Sequence, residues 1–393
     1  MNDSVGIRQA NLSRVLRLVH VDGPLSRAAL TEATGLNRST IADLIGALVE
    51  GGLVEERAPD PVGRVGRPSP VVAAHPRVVA IAVNPEVDAL TMAAVGLGRR
   101  IPVRVRLEVD HLLTPDETAA LVAEQIGLWK AEALVGHRVV GVGIAVPGLV
   151  RASDGLVRDA PHLMWRDVAL RDLVSTASGL PVVVGNDASM GVAAEHLFGA
   201  ARGEDHIVYL NGGASGIGGG LVVNGSPVTG AAGYAGEFGQ NRPGIAADTD
   251  RTVDGGVLED EVSRARLLSV LRLRSADEPT LAAALAASTA PEVRAEVARQ
   301  RRILTTALAN AVNVLNPSVV VLGGYLAALA AEDLDLLLTA VSDTAMPSTC
   351  EDLSIRVAVL AEDRLLIGAA EAAFADLLRD PLAPGAPGAP RAS

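Results

Sequence analysis

Four groups of side chains in this sequence have the types and spacing to do chemistry. Asn186-Asp187 follows the β-branched run at 182–184 and Gly185, where a strand ends and a helix begins. A carboxylate beside an amide at the mouth of a cleft accepts protons from sugar hydroxyls, and in a kinase it deprotonates the attacking hydroxyl. The same two residue types also cap helices. Gly236-Glu237-Phe238-Gly239-Gln240 and then Glu259 add two carboxylates and an amide. Such a set suits a polyol, because each buried ring hydroxyl needs its own partner. The glycine-rich run from Asn211 to Gly220 offers backbone N–H groups to an anion or a sugar, or serves only as a tight hairpin turn. It lacks the lysine of a P-loop and is not placed as a dinucleotide fingerprint. Finally, Arg38-Ser39-Thr40 and, in the Gly/Pro-rich stretch 58–70, Arg64 and Arg67 have the chemistry to fork onto phosphate or a base edge.

The elements that must hold these groups can be read from periodicity. Leu12, Val15, Leu16 and Val19 recur at helical spacing until Gly23-Pro24, a second helix runs from about Ser26 to Ala33, and Asn37 caps a third whose inner face is Ile41, Leu44, Ile45 and Leu48. Leu53-Val54 and Val71-Val72 flank the stretch 58–70 as a hairpin. Helix, helix, turn, helix, hairpin is the order of a winged helix-turn-helix, with the third helix in the major groove and the hairpin tip along the backbone or minor groove. Three amphipathic helices also suit an adaptor or dimerisation module. Asp43 lies near the same surface and repels phosphate, which concentrates base contacts in the first turn of the third helix. From residue 76 short β-branched runs alternate with Ala/Leu-rich helices. Strands are expected at 78–83, 90–95, 103–109, 139–146, 182–184, 206–210, 221–223 and 319–322. Two similar α/β halves place a ligand cleft at their junction. The expected domains are therefore 1–75, 76–380 and a disordered Pro/Gly/Ala tail at 381–393.

Composition sets bounds on function. The 393 residues are 49% hydrophobic, 20% charged and 2% aromatic, enough apolar material for two or three domains with Ala, Val and Leu cores. A net charge of −12 excludes coating nucleic acid by bulk charge, yet residues 1–75 balance eight Arg against eight acids. The single cysteine, Cys350, excludes an intrachain disulfide framework and any multi-cysteine metal site, and fits a reducing compartment. The N-terminus has no apolar signal core and no apolar run reaches 18 residues, so a cytoplasmic protein with no membrane contact is expected. Asp248, Asp250 and Asp254 do not follow the EF-hand spacing.

At this point the sequence resembles the ROK group of repressors, ORFs and sugar kinases, in its form with an N-terminal winged helix. The resemblance covers residues 8–380 and rests on GVGIAVPGLV (141–150), APHLMW (160–165), GND (185–187), GIGGGLVVNG (216–225), GAAGYAGEFGQ (230–240), NPSVVVLGG (316–324) and the wing segment GRPSP (66–70). It implies a two-lobed, actin/hexokinase-type α/β domain behind the winged helix. It also implies a sugar held between the lobes by Asn186, Asp187, Glu237, Gln240 and Glu259, with Gly323-Gly324 near the nucleotide in members that are kinases.

The departures decide what the resemblance implies about activity. Kinases of the group open the first lobe with an Asp-x-Gly-Gly-Thr phosphate loop, where this chain reads Ala82-Val83-Asn84-Pro85-Glu86. Ala82 cannot hold magnesium, Asn84-Pro85 removes the glycine backbone and an N–H donor, and Glu86 brings negative charge to the phosphates. Asp187, which matches the kinase base, is then a hydroxyl acceptor and not a catalytic residue. The group's structural zinc is bound by a histidine and three cysteines, at positions that are Gln240, Asp250, Thr252 and Val257 here, so no metal and no cofactor are expected. His162 stands where many relatives carry Asn. The resulting expectation is a DNA-binding transcriptional regulator, a repressor, that senses a sugar or sugar phosphate and binds operator DNA as a homodimer or homotetramer. An ATP-dependent sugar kinase with an added DNA-binding domain, or a regulator that has lost sugar sensing, are the alternatives.

Overall fold

A computed structural model of the chain describes residues 2–58, 70–245, 247–331 and 333–383. Arg64, Arg67 and the tail from 384 onward lie outside the described residues. Helix α1 (Asn2–Asp22) buries Leu12, Val15, Leu16 and Val19 along one face. After the two-residue strand β1 (Leu25–Ser26), Ser26 caps α2 (Arg27–Thr34), its Oγ accepting from the Ala29 N–H at 3.1 Å. Gly35 ends α2 at φ +71°, a left-handed conformation that costs glycine little. Arg14 of α1 donates to the free carbonyls of Ala33 and Thr34, a cation where the α2 dipole ends negative. Asn37 caps α3 (Arg38–Glu50), which turns Ile41, Leu44, Ile45 and Leu48 inward as expected. Strands β2 (Val54–Arg57) and β3 (Val71–Ala74) pair antiparallel, and β1 adds to the far side of β3. The sequence carried no sign of β1, because two residues have no periodicity. Three helices and a three-stranded sheet in this order match the element order expected of a winged helix-turn-helix.

From Val78 one sheet plan occurs twice. In the first lobe β4 (Val78–Pro85), β5 (Ala89–Gly96) and β6 (Val103–Glu108) form an antiparallel meander. Helix α4 (Pro115–Ala131) leads to β7 (Arg138–Val146), parallel to β4. A small three-stranded sheet of β8 (Leu149–Val150), β9 (Val157–Ala160) and β10 (Trp165–Val168) then precedes α5 (Leu170–Ser178) and β11 (Val182–Asn186), giving the order β11-β7-β4-β5-β6. Helix α6 (Asp187–Phe198) crosses to the second lobe, where β12 (Ile207–Gly213), β13 (Gly216–Val223) and β14 (Ser226–Pro227) repeat the meander. Helices α7 (Leu258–Glu261), α8 (Arg264–Val270), α9 (Glu278–Ala287) and α10 (Pro291–Leu315) follow. Next come β15 (Val319–Gly324), α11 (Tyr325–Ala330), α12 (Leu334–Thr344) and β16 (Ser354–Val357), with the matching order β14-β13-β12-β15-β16. No helix among the described residues is long and apolar enough to cross a membrane.

Three features depart from expectation. Gly216 and Gly218–220 do not form a turn; they are the first half of β13. A Cβ at Gly218 would lie 2.8 Å from the Ala188 Cβ, one at Gly219 2.3 Å from the Phe238 ring and one at Gly220 2.5 Å from Val192, so the strand has no room for side chains on either face. The small sheet β8–β10 was also not anticipated. Packing continues past residue 380, where the tail was expected to begin: Pro381 is buried, and Leu382 covers Gly51 at the end of α3.

The last helix, α13 (Arg364–Arg379), leaves the second lobe and lies on β4, β7 and α6 of the first. It reaches them through bare backbone. A Cβ at Gly143 of β7 would fall 1.8 Å from the Ala369 carbonyl oxygen, and one at Gly368 of α13 would fall 2.0 Å from the Met190 carbonyl oxygen of α6. Phe374, Leu377 and Leu378 of α13 share one apolar cluster with Leu12, Leu16 and Val19 of α1, so the winged module and the first lobe have a continuous core. Gly368→Ala is expected to force α6 and α13 apart and lower stability by about 1–3 kcal/mol; urea unfolding of the full chain measures it.

Candidate functional site

The cleft is built on the junction of β11 with α6. Asn186 both ends the strand and caps the helix: its Oδ1 accepts from the Ser189 N–H at 2.9 Å, while its Nδ2 donates to the Gly148 carbonyl at 3.1 Å and to Asp187 Oδ1 at 3.2 Å. Capping and presentation to the cleft are therefore one arrangement. Asp187 Oδ1 also accepts from the Ala188 N–H at 2.8 Å. Burial in the cleft floor pushes the Asp187 carboxyl up to about 6, against the opposing pull of the Ala188 N–H and of Arg364.

Glycines of β13 let the other acceptors approach. Glu259 reaches over Gly216, where a Cβ would stand 2.3 Å from its Oε2, and that oxygen accepts from the Ile217 N–H at 3.1 Å. Its Oε1 accepts from Gln240 Nε2 at 2.6 Å. Glu237 is half-buried; burial raises its pKa, and the negative charges of Asp187 and Glu259 raise it further. Of the five residues expected to hold a sugar, Asp187, Glu237, Gln240 and Glu259 thus gather beside this one stretch of β13, and Asn186 adjoins Asp187. His162 stands apart, exposed on the 3-10 turn at Pro161–Leu163.

Where a phosphate loop would lie, β4 simply continues into a hairpin. The Glu86 N–H donates to the Ala89 carbonyl at 2.8 Å, and Asn84 Nδ2 donates to Glu86 Oε1 at 2.9 Å. Burial raises the pKa of Glu86, and Arg106 opposes the rise. Gly323 and Gly324 meet protein, not open space: Cβ atoms there would fall 2.8 Å from the Tyr209 hydroxyl and 1.9 Å from the Gly212 carbonyl. Beside them lies a group that the sequence reading missed. Buried Arg364 donates from Nε to Asn211 Oδ1 at 3.0 Å and grips Glu278 with both terminal nitrogens at 2.6 and 3.1 Å. An arginine opening the otherwise apolar stretch at 364–370 was the available signal.

The positions corresponding to the zinc ligands do not fit a metal. Among the described residues no cluster of His, Cys, Asp or Glu has a ligand geometry. Instead the loop at 250–253 is tied by charge. Thr252 and Val253 donate backbone N–H bonds to Glu261, and Arg299 donates to the Asp250 carbonyl, to Glu261 and to Glu296. Arg302 holds the Asp250 carboxylate with two bonds at 2.7 and 2.8 Å. Burial alone would raise Glu261, but these donors hold its pKa below the usual value. Glu261 shares the single turn of α7 with Glu259, so the network positions a cleft residue.

At the other end of the molecule, Arg38 and Ser39 are exposed in the first turn of α3 and Thr40 is half-buried. Asn37 Oδ1 accepts from both the Thr40 N–H (2.9 Å) and the Ser39 hydroxyl (2.7 Å), which leaves Ser39 oxygen lone pairs facing outward.

Residues 105–375 match the ROK family. The chain is a member of that family. A putative xylose repressor of Caldicellulosiruptor sp. (strain Rt8B.4) is 26% identical over 97% of this chain and 99% of its own length. A glucokinase of Thermotoga maritima is 30% identical over 60% of this chain and 79% of its own. Among solved structures, a ROK family transcriptional regulator described as a homolog of the E. coli MLC protein superposes with TM-score 0.74 at 24% identity, covering 96% of this chain and 98% of that one. A ROK glucokinase from Streptomyces griseus, with glucose and AMPPNP, gives 0.56 at 23% identity, covering 75% and 98%. The match to the regulator spans nearly the whole chain, and the match to the glucokinase about three quarters of it.

Two outcomes are expected. Arg299→Met leaves Glu261 buried without its cation and lowers stability by about 3–5 kcal/mol in chemical unfolding. Asp187→Asn raises the melting temperature at pH 8, because the folded state there bears the cost of a desolvated carboxylate. That advantage shrinks as pH falls from 6 towards 4, where the native aspartate protonates in both states.

Proposed function

We propose that this ROK protein is a sugar-responsive, DNA-binding repressor and not a sugar kinase. The observation that carries the reading is a cleft that keeps its hydroxyl acceptors but has lost its phosphate loop: Asn84 and Glu86 bond to each other where triphosphate and magnesium would sit. The similarity to a putative xylose repressor over nearly the whole length of both chains supports it. Retention of Asp187 favours the kinase alternative, but an acceptor for a sugar hydroxyl needs the same carboxylate.

The effector class follows from charge. The charges of Asp187 and Glu259 act on Glu237, and Arg364, the cation that acts on Asp187, is already committed to Glu278 and Asn211. A phosphate ester would enter among these carboxylates with Arg364 already paired, which favours an unphosphorylated sugar as the ligand. On the DNA side, Arg38, Ser39 and Thr40 read the major groove, Arg64 and Arg67 hold the wing to the duplex, and two copies bind a two-fold operator as at least a homodimer.

Calorimetry with xylose, glucose and glucose 6-phosphate tests the cleft. Binding of a free sugar, lost in Glu237→Ala and Glu259→Ala with operator affinity retained, is expected. Tight binding of the phosphate ester alone, or Asp187-dependent turnover of ATP and sugar, overturns the reading. For DNA, Arg64→Ala and Arg67→Ala each reduce the slope of log affinity against log salt by about 1, while Ser39→Ala shifts the selected sequence. Salt slopes unchanged in both arginine variants remove the wing from the interface.

A further inference from the structure

Helices α6 and α13 begin together at the cleft and meet one histidine of the winged module, α6 at its C-terminal end and α13 at its middle. Helix α6 opens with Asp187, and α13 opens with Arg364, whose charge acts on Asp187. At its far end, about 18 Å along, α6 presents Phe198, whose ring meets His20 of α1 edge-on with centroids 5.3 Å apart. Two turns into α13, Glu371 takes His20 Nε2 between its two oxygens at 2.9 and 3.0 Å, and the Phe374 ring closes the other side at 5.9 Å.

His20 is 1% exposed, and every polar atom of its ring is used. Nδ1 accepts from the Gly98 N–H in the β5–β6 connection at 2.9 Å, which places the proton on Nε2, where it is donated to Glu371. Around this point Asp22 pairs with Arg202 just beyond α6, the Arg99 guanidinium covers the Phe198 ring at 5.0 Å, and Ser13 donates to the Leu378 carbonyl at 2.6 Å. Helix α1 in turn packs directly on α3. A displacement of the joined α6–α13 layer at the cleft therefore cannot leave His20 where it is, and α3 follows α1.

We propose that His20, Glu371 and Phe198 are the positioning residues that carry the state of the cleft to the DNA-facing helix. The pin is polar on one side and aromatic on the other, so it transmits direction as well as contact: Glu371 and Gly98 fix the ring's orientation, and Phe198 pushes on its edge. This rests on the reading of the chain as a sugar-responsive DNA-binding protein. Coupling of this kind is a ratio of affinities, and it is the same ratio from either side.

The test uses the full chain, a duplex selected by it from random-sequence DNA, and xylose and glucose as probes. In the parent, saturating sugar changes the DNA dissociation constant by at least about fivefold. The double variant His20→Phe/Glu371→Leu fills similar space with apolar side chains and removes the carboxylate, its one cost being the Gly98 N–H that loses its acceptor. It is expected to keep DNA affinity without sugar and sugar affinity without DNA within about threefold, while the coupling ratio falls below about twofold. Glu371→Gln, which still accepts from Nε2, is expected to retain the ratio. A folded double variant with the parental ratio overturns the proposal. Should that variant fail to fold, Phe198→Leu, which leaves every hydrogen bond of His20 in place, decides in its stead: a ratio at least halved supports the pin and an unchanged one overturns it. If neither sugar binds, or binding leaves DNA affinity unchanged in the parent, the sugar-responsive reading itself fails and the pin falls with it.

Discussion

The close approach of backbone to backbone beneath α13 is the constraint on which the rest of the molecule depends. The helix is made in the second lobe but lodges on the sheet of the first, and it can do so only because Gly143 and Gly368 present no Cβ to Ala369 and Met190. Interiors packed to this density transmit small displacements instead of absorbing them. With α6 and α13 in register along their backbones, the floor of the cleft and the root of the winged module become two ends of one rigid layer. The remaining contacts between module and lobe, the continuous apolar cluster and the polar pin at His20, are attached to that layer.

Much of this was legible in the amino-acid order, and what was missed has identifiable causes. Ser26 and Asn37 announced their helices because a capping side chain leaves a local signature. Leu12, Val15, Leu16 and Val19 announced theirs by period. The run Gly216–Gly220 misled, because glycine is read as a turn former, whereas here its lack of a side chain is a packing requirement imposed by α6 and the loop around Phe238. Asn186 was read as a cap or a ligand, and in the structure its oxygen caps α6 while its amide nitrogen ties Gly148 and Asp187. Arg364 and Glu278 are 86 residues apart, and no local pattern relates residues so distant. The same holds for His20 and Glu371, 351 residues apart. The residues proposed to hold a sugar fall within short stretches that a motif can span, whereas the residues that join one part of the fold to another are scattered along the chain and were found only in three dimensions.

The cleft combines two electrostatic decisions. Burial and the charges of Asp187 and Glu259 raise the pKa of Glu237 beside β13, while Arg364 with Glu278 and Asn84 with Glu86 satisfy each other within the protein. Polar groups satisfied by their own neighbours have no need of a ligand to complete them. One side of the cleft is thus left with acceptors to offer, and the other has already been closed by the chain.

The loop that carries Thr252 is tied by Glu261, Arg299 and Arg302, with neither thiol nor imidazole in the arrangement. A cleft fastened by such ionic bonds stays assembled through metal starvation and oxidative stress, conditions that would strip a thiolate-bound ion from the same place. The segment beside Glu259 is thus held in place by charges that the chain supplies for itself.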